Sequence, residues 1–156
     1  MTQVDAAKLE RAPAFRALRQ LAADGLGVQL VLIDSDGALA HRRGGVLEAV
    51  SAPCRAALFS PDAFACCDRF YEEQAIRGPN DGENRCPFAL SARSVDLPGG
   101  LRLVASGYQR ADATGPDWSA LERAGVDPSE RDAGPAATLG EEGSRLLDAL
   151  LTSCRE

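Results

Sequence analysis

Residues 28–37 read VQLVLIDSDG, a run of β-branched and leucine side chains that ends in an aspartate–glycine turn sequence. β-Branched residues favour strands, and an Asp-Gly pair after such a run is a strong hairpin signal. The stretch therefore predicts a strand over Val28–Ile33 that pairs with a second strand over Ala38–His41. An antiparallel sheet is thus expected to form the framework of the fold.

A second hairpin is predicted over residues 88–106. Apolar and polar side chains alternate in 88–93 and again in 101–106, and the turn sequence Pro-Gly-Gly at 98–100 joins the two runs. Gly107 follows on the second strand. A glycine inside a strand usually marks a bulge or a close approach by backbone or ligand.

Helices are predicted between and around the hairpins from apolar spacing and capping signals. The predicted helices are 13–24, stopped by a left-handed Gly25; 53–59; one with Ser60 as N-cap and Pro61 in its first turn; a short one around Trp118; and one that follows a capping box at 138–141. The apolar face of the last helix should carry Leu146, Leu147, Leu150 and Cys154. The whole chain, residues 1–156, is expected to be a single α+β domain with an antiparallel sheet and flanking helices.

Composition narrows the class of protein. The chain has 156 residues, is 45% hydrophobic and 26% charged, and carries a net charge of −6, which argues against a nucleic-acid-binding surface. No apolar run approaches the roughly 18–20 residues that cross a bilayer, and the first twenty residues lack a signal core. We therefore expect a cytoplasmic protein that binds neither nucleic acid nor membrane. In that compartment cysteines stay reduced.

The cysteines give the clearest functional signal. The chain has five of them, an odd number that makes a poor disulfide framework. Cys54, Cys67 and Cys86 are spaced C-x12-C-x18-C, which matches no zinc-finger pattern. Cys66 precedes Cys67, and consecutive helical residues point about 100° apart, so only one of the pair can easily face a shared site. Cys67 shares its helical face with Phe64, which makes it the inward one.

Three interpretations of these thiols remain open from spacing alone. They are buried inert groups, ligands of a metal or iron–sulfur cluster, or a redox pair at Cys66–Cys67. A metal or cluster site on Cys54, Cys67 and Cys86 would need a fourth ligand. The candidates for that fourth ligand are Cys66 itself, Cys154, His41, a carboxylate or an external group.

Several of these segments are similar to one known family. They are VQLVLIDSDG at 28–37, PCR at 53–55, SP at 60–61, CD at 67–68, CPFAL at 86–90 and LVASGYQ at 103–109. On them the chain resembles the PocR-type sensory domain, a PAS-like variant found in bacterial transcription regulators, histidine kinases and diguanylate cyclases. The family usually has a glycine after the third cysteine, where this chain has Phe88-Ala89.

The resemblance implies a PAS-like sheet and a role in signal transduction. It also implies that Cys54, Cys67 and Cys86 act together, that a signalling output domain or partner protein receives the signal, and that the ligand is a small hydrocarbon-like molecule such as a short diol. The thiols themselves favour a metal or an iron–sulfur cluster, so both kinds of ligand are kept. A homodimerisation or interaction module that uses the first and last helices is a further alternative.

No enzyme is predicted. The sequence has one histidine, His41, and neither a G-x-S-x-G elbow nor a phosphate-binding G-x-x-x-x-G-K loop. Asp34 and Asp36 are explained by the turn that they flank. A cysteine nucleophile would find no obvious base other than His41.

Overall fold

The computed structural model describes residues 6–33, 51–76, 83–97, 100–110, 115–129 and 137–155. Its helices are α1 (Ala6–Arg11), α2 (Pro13–Leu26), α3 (Ala52–Leu58), α4 (Pro61–Ile76), α5 (Trp118–Arg123) and α6 (Glu141–Arg155). Its strands are β1 (Gln29–Ile33), β2 (Glu83–Arg85), β3 (Ser91–Asp96), β4 (Arg102–Arg110) and β5 (Ala137–Leu139). The α+β class is therefore confirmed.

The strands form one sheet in the order β1-β4-β3-β2, with each neighbouring pair antiparallel. β4 is central, and it pairs with β1 in a register that sets Gln29 opposite Ser106. The predicted β3–β4 hairpin is confirmed. The predicted partner strand at 38–41 lies outside the described residues.

Helices cover both faces of the sheet. Side chains alternate along each strand, so β1 sends Leu32 to one face and Val31 to the other. On the first face Leu32 joins Phe15 of α2 and Leu147 of α6 in an apolar cluster. On the second face Val31 packs with Tyr71 of α4. The second face holds the cysteine-bearing helices.

Two helix boundaries differ from the prediction. α2 continues through Gly25 and ends at Gly27, whose φ of 66° is left-handed and whose N–H bonds back to the Ala23 carbonyl. Glycine can also adopt the right-handed helical conformation, so Gly25 does not by itself end the helix. The left-handed residue that ends it is Gly27. α1 was not predicted, and Pro13 separates it from α2.

The start of α6 corrects a second prediction. Thr138 is not an N-cap, because it lies in β5 and pairs in parallel with Gln109 at the end of β4. The helix begins three residues later at Glu141. Its buried face consists of Leu147 and Leu151, whereas Leu146 is 55% exposed. Thr138 and Leu139, which the capping-box pattern assigns to the start of the helix, belong to the parallel strand β5 instead.

Within the described ranges, no helix combines the length and apolar character that crossing a membrane requires.

Candidate functional site

A cavity lies between the second face of the sheet and helices α3 and α4. Cys54, Cys67 and Cys86 all line it, and we call it the thiol pocket. The pocket offers about 50 Å³ to the centre of a water-sized sphere, compared with roughly 10–15 Å³ for one buried water. Three cysteines that are far apart in sequence are thus brought to one cavity.

Cys54 is placed by the first turn of α3. Ser51 is the N-cap, and its hydroxyl accepts a hydrogen bond from the Cys54 backbone N–H at 3.3 Å. Pro53 occupies the first turn, where its missing N–H costs nothing. Burial raises the pKa of the Cys54 thiol to about 11, against the opposing effect of hydrogen bonds with Ser51 and Gln29. The thiol is therefore neutral at physiological pH.

Cys67 faces the pocket from α4, together with Phe64 and Tyr71 of the same helix face. Burial, and then the neighbouring Cys54 and Cys86, raise the pKa of Cys67. Cys66 is not among the residues that line the pocket and packs instead against an apolar cluster of α3, α4 and α5. The helical argument that Cys67 is the inward member of the pair is confirmed.

The start of α4 is fixed from a second helix. Ser60 precedes the helix, and its carbonyl accepts from the Phe64 N–H, as the N-cap prediction requires. Its hydroxyl, however, donates to the Ala124 carbonyl at 2.9 Å instead of capping α4. The serine therefore ties the beginning of α4 to the end of α5.

Cys86 lies in the tight connection between β2 and β3. The Ala89 N–H bonds to the Cys86 carbonyl at 3.0 Å, with Pro87 and Phe88 as the central residues of the turn. β3 therefore begins at Ser91, and the predicted strand start at Phe88 is wrong, because the turn uses Phe88. Burial raises the pKa of the Cys86 thiol.

Ala89 has a φ of 65°, in the left-handed region that favours glycine. An L side chain in this conformation costs roughly 1–2 kcal/mol. Glycine removes this cost, but part of the gain is lost because glycine gives up more conformational entropy on folding. Ala89→Gly should therefore raise the free energy of unfolding by about 0.5–1 kcal/mol. Urea denaturation of both proteins checks this, and an unchanged or lower midpoint would contradict the strained geometry of the Cys86 turn.

Gly107 forms a bulge in β4. The pairing of β3 with β4 steps from Ser91↔Tyr108 to Ala92↔Ser106, which leaves Gly107 unpaired. Its φ is 81°. The prediction of a bulge at this glycine is confirmed.

The same glycine brings the backbone close to the thiol pocket. A Cβ at position 107 would lie 3.1 Å from the Gln29 side chain and 3.4 Å from Cys54 Sγ. Because glycine lacks this Cβ, the β4 backbone at Gly107 can lie close to the Cys54 thiol. The predicted close approach at Gly107 is therefore confirmed as well.

A buried hydrogen-bond network forms the polar wall of the pocket. Gln29 Nε2 donates to the Tyr71 hydroxyl at 3.1 Å, and the Tyr71 and Ser106 hydroxyls lie 2.7 Å apart. Burial raises the pKa of Tyr71, so the phenol stays protonated. This network ties α4 to β1 and β4.

Tyr71→Phe tests the network. The substitution removes the one oxygen that both Gln29 and Ser106 contact, and a buried polar group left unsatisfied costs about 1–3 kcal/mol. We expect the free energy of unfolding to fall by about that amount in urea denaturation. Ser119→Ala is the control. Ser119 lies exposed on α5, so the loss of its hydroxyl should change stability little. Equal effects of the two hydroxyl removals would contradict the account.

The candidate fourth ligands fall in different places. Cys66 is turned away from the pocket. Cys154 belongs to α6, which packs on the opposite face of the sheet, and His41 lies outside the described residues. Asp68 supplies a carboxylate to the pocket lining. In the part of the chain that the structure describes, no three His, Cys, Asp or Glu side chains are grouped so that they could hold one metal ion.

Three polar residues of the site, Gln29, Tyr71 and Ser106, were not identified from the sequence. Gln29 carried a usable signal, since it is a polar residue inside the apolar run that opens at Val28. Helical spacing placed Phe70 or Tyr71 on the face of Cys67 but gave no polar role to the hydroxyl, and Ser106 gave no signal, because a serine on a strand is ordinary at either face. Only the fold brings the three together.

The buried thiols predict a pH dependence of the metal-free protein. The pKa of Cys54 is raised from its ordinary value of 9.0 to about 11, so between these values the unfolded chain loses a proton that the folded chain keeps. Stability is therefore complete below pH 9 and falls as the pH rises toward 11. Urea midpoints measured across this range should fall more steeply for the wild type than for Cys54→Ser. Parallel curves would contradict the burial of this thiol.

Comparison of the chain with protein-family models, curated proteins and solved structures finds no match to any of them.

Proposed function

We propose that the chain is a sensory domain of the PocR type that binds a metal or an iron–sulfur cluster in the thiol pocket through Cys54, Cys67 and Cys86. One observation carries the proposal: a first helical turn, a helix face and a hairpin turn each direct one cysteine to the same cavity. Thiolates are the ligands that zinc and iron–sulfur clusters use in proteins.

The chemistry of the donor set fits such an occupant. Burial raises the pKa of each of these thiols and keeps it neutral, and ionisation of Cys54 or Cys86 would raise the pKa of Cys67 further. Three buried thiolates repel one another unless a cation lies between them. A bound metal supplies that charge, and its binding would release protons from the thiols.

The position of the pocket supports a role in signalling. The occupant would contact α3, α4 and the β2–β3 turn at once, so filling or emptying the pocket changes how the helices pack on the sheet. A partner protein or an output domain could read that change, as the PAS-like resemblance implies. The proposed location is the cytoplasm, where thiols stay reduced.

A non-enzymatic role is part of the same proposal. The hydroxyls of Tyr71 and Ser106 bond to each other, and burial raises the pKa of Tyr71 well above its usual range. A general acid or base works best with a pKa near the operating pH. These groups are therefore suited to holding structure and not to moving protons.

A second candidate is a sensor of a small apolar molecule, with the cysteines as pocket lining. Pro53, Ala57, Leu58 and Leu90 supply apolar walls, and Ser106 belongs to a polar network that could orient a ligand hydroxyl. Pockets of this kind, apolar with few polar groups, bind small organic ligands. A dimerisation surface is less well supported, although Leu21 of α2 and Leu146 of α6 are 62% and 55% exposed.

Anaerobic purification followed by an ultraviolet–visible spectrum and elemental analysis tests the proposal. Bound iron or zinc that depends on the three cysteines supports it. Folded, metal-free protein that is stabilised by a short diol even after all three cysteines are changed to serine would support the second candidate instead.

A further inference from the structure

The thiol pocket is larger than a single metal ion requires. It holds several times the volume of one buried water, and its lining thiols stand on three separate walls: α3, α4 and the β2–β3 turn. A zinc ion draws its ligands together, since Zn–S bonds of about 2.3 Å in a tetrahedron set the sulfurs roughly 3.8 Å apart. Within the described ranges no three potential ligands are grouped so that they could hold one metal ion.

An iron–sulfur cluster places different demands on its thiolates. Each cysteine can bind a separate iron, and the inorganic sulfides between the irons keep the cysteine sulfurs further apart. The space for such a body is the thiol pocket itself, which Cys54, Cys67 and Cys86 line from three sides. The pocket size, and the lack of a single-ion grouping among the described residues, therefore favour a multi-atom inorganic occupant.

Resting on the proposed function, we infer that the occupant is an iron–sulfur cluster held by three cysteine thiolates, with one coordination position left to a ligand other than cysteine. Cys54, Cys67 and Cys86 supply the thiolates. Cys66 is not among the residues that line the pocket. The position without cysteine falls to Asp68, which lines the pocket, or to a small external ligand, and that exchangeable position is where a signal molecule would bind.

Reconstitution of the full chain tests this inference. Oxygen-free protein is incubated with ferrous iron and sulfide, and a parallel sample with zinc alone. We expect iron and inorganic sulfide in near-equal amounts with more than one iron per chain, a brown colour, and protection of three thiols from alkylation. Zinc alone should leave at least one of these thiols open to alkylation.

Two results would overturn it in distinguishable ways. One tightly bound zinc that protects all three thiols, with no uptake of sulfide, would replace the cluster with a single-ion site and leave the proposed function standing. Failure of the folded chain to bind either metal would overturn the proposed function as well. Cys66→Ser is the matched control and should take up as much iron and sulfide as the wild type.

Asp68→Asn separates the two candidates for the remaining position. If the carboxylate is the ligand, the variant's cluster spectrum shifts and its iron content falls. If the position is external, the spectrum is unchanged and added cyanide or thiol alters it in both proteins. A cluster with four cysteine ligands, seen as a Cys66→Ser variant that loses its iron, would contradict the three-thiolate site.

Discussion

Serine in place of Cys54, Cys67 or Cys86 will remove the bound metal or cluster, whereas serine in place of Cys66 will leave it bound. A serine hydroxyl is similar in shape but is a hard oxygen donor that stays protonated near neutral pH, so it does not replace a thiolate. Loss of a mere outer-shell partner lowers metal affinity about 10- to 100-fold. Loss of a direct ligand should lower it at least as much.

The adjacent pair makes this a sharply controlled experiment. Cys66 and Cys67 are neighbours on α4, and both are partly buried, yet only Cys67 lines the pocket. Iron affinity, measured on anaerobically reconstituted variants, should differ between them at least tenfold, and Cys67→Ser should hold less iron per chain. Circular dichroism shows whether each variant is folded. Equal iron in folded Cys66→Ser and Cys67→Ser would contradict the assignment of the ligands.

Gly107→Ala should be strongly destabilising, because it strains the backbone and crowds the thiol pocket at once. A side chain at a φ of 81° is strained, and strain of this kind costs about 1–3 kcal/mol. The new Cβ would also lie 3.1 Å from Gln29, closer than normal packing, and would press on Cys54 Sγ. We expect a loss of about 1–3 kcal/mol in the free energy of unfolding, together with weaker cluster binding.

Gly25→Ala is the matched control. Gly25 lies inside α2, and an added Cβ there would meet nothing within 4 Å. Alanine favours a helix over glycine by about 0.5–1 kcal/mol, so this variant should be more stable than the wild type. Urea denaturation of the two variants should thus give shifts of opposite sign. A Gly107→Ala protein as stable as the wild type would show that the bulge does not need glycine.

The sequence could predict the parts of the fold that depend on local chemistry. The run at 28–33 is predicted as a strand because it is rich in β-branched and leucine side chains. Gly107 is predicted as a bulge because a glycine weakens a strand and often marks one. Helical geometry distinguishes Cys67 from Cys66 without any structure. These are properties of neighbouring residues, and the structure bears each of them out.

What could not be predicted depends on pairing between distant segments. Thr138 looks like a helix cap until β5 is seen to pair with Gln109 across the sheet. Phe88 looks like the start of a strand until the turn after Cys86 takes it. The contact of Tyr71 with Gln29 joins residues 42 positions apart. Long-range contacts of this kind leave no periodic trace in a single sequence.

The spacing of the cysteines illustrates the same limit in the site. C-x12-C-x18-C shows neither a metal nor a cavity, because each interval spans a different set of turns and helices. The fold turns that irregular spacing into a common direction for Cys54, Cys67 and Cys86. The occupant that we propose is inferred from the space and the donor atoms of the thiol pocket, which only three dimensions reveal.

A crystal structure of the anaerobically reconstituted chain, with anomalous data collected at the iron edge, tests the central claim most directly. The account predicts a strong iron peak inside the thiol pocket, bonded to the sulfur atoms of Cys54, Cys67 and Cys86, with Cys66 outside its coordination. An iron peak elsewhere, or a folded protein whose pocket holds an organic molecule and three unligated thiols, would contradict it.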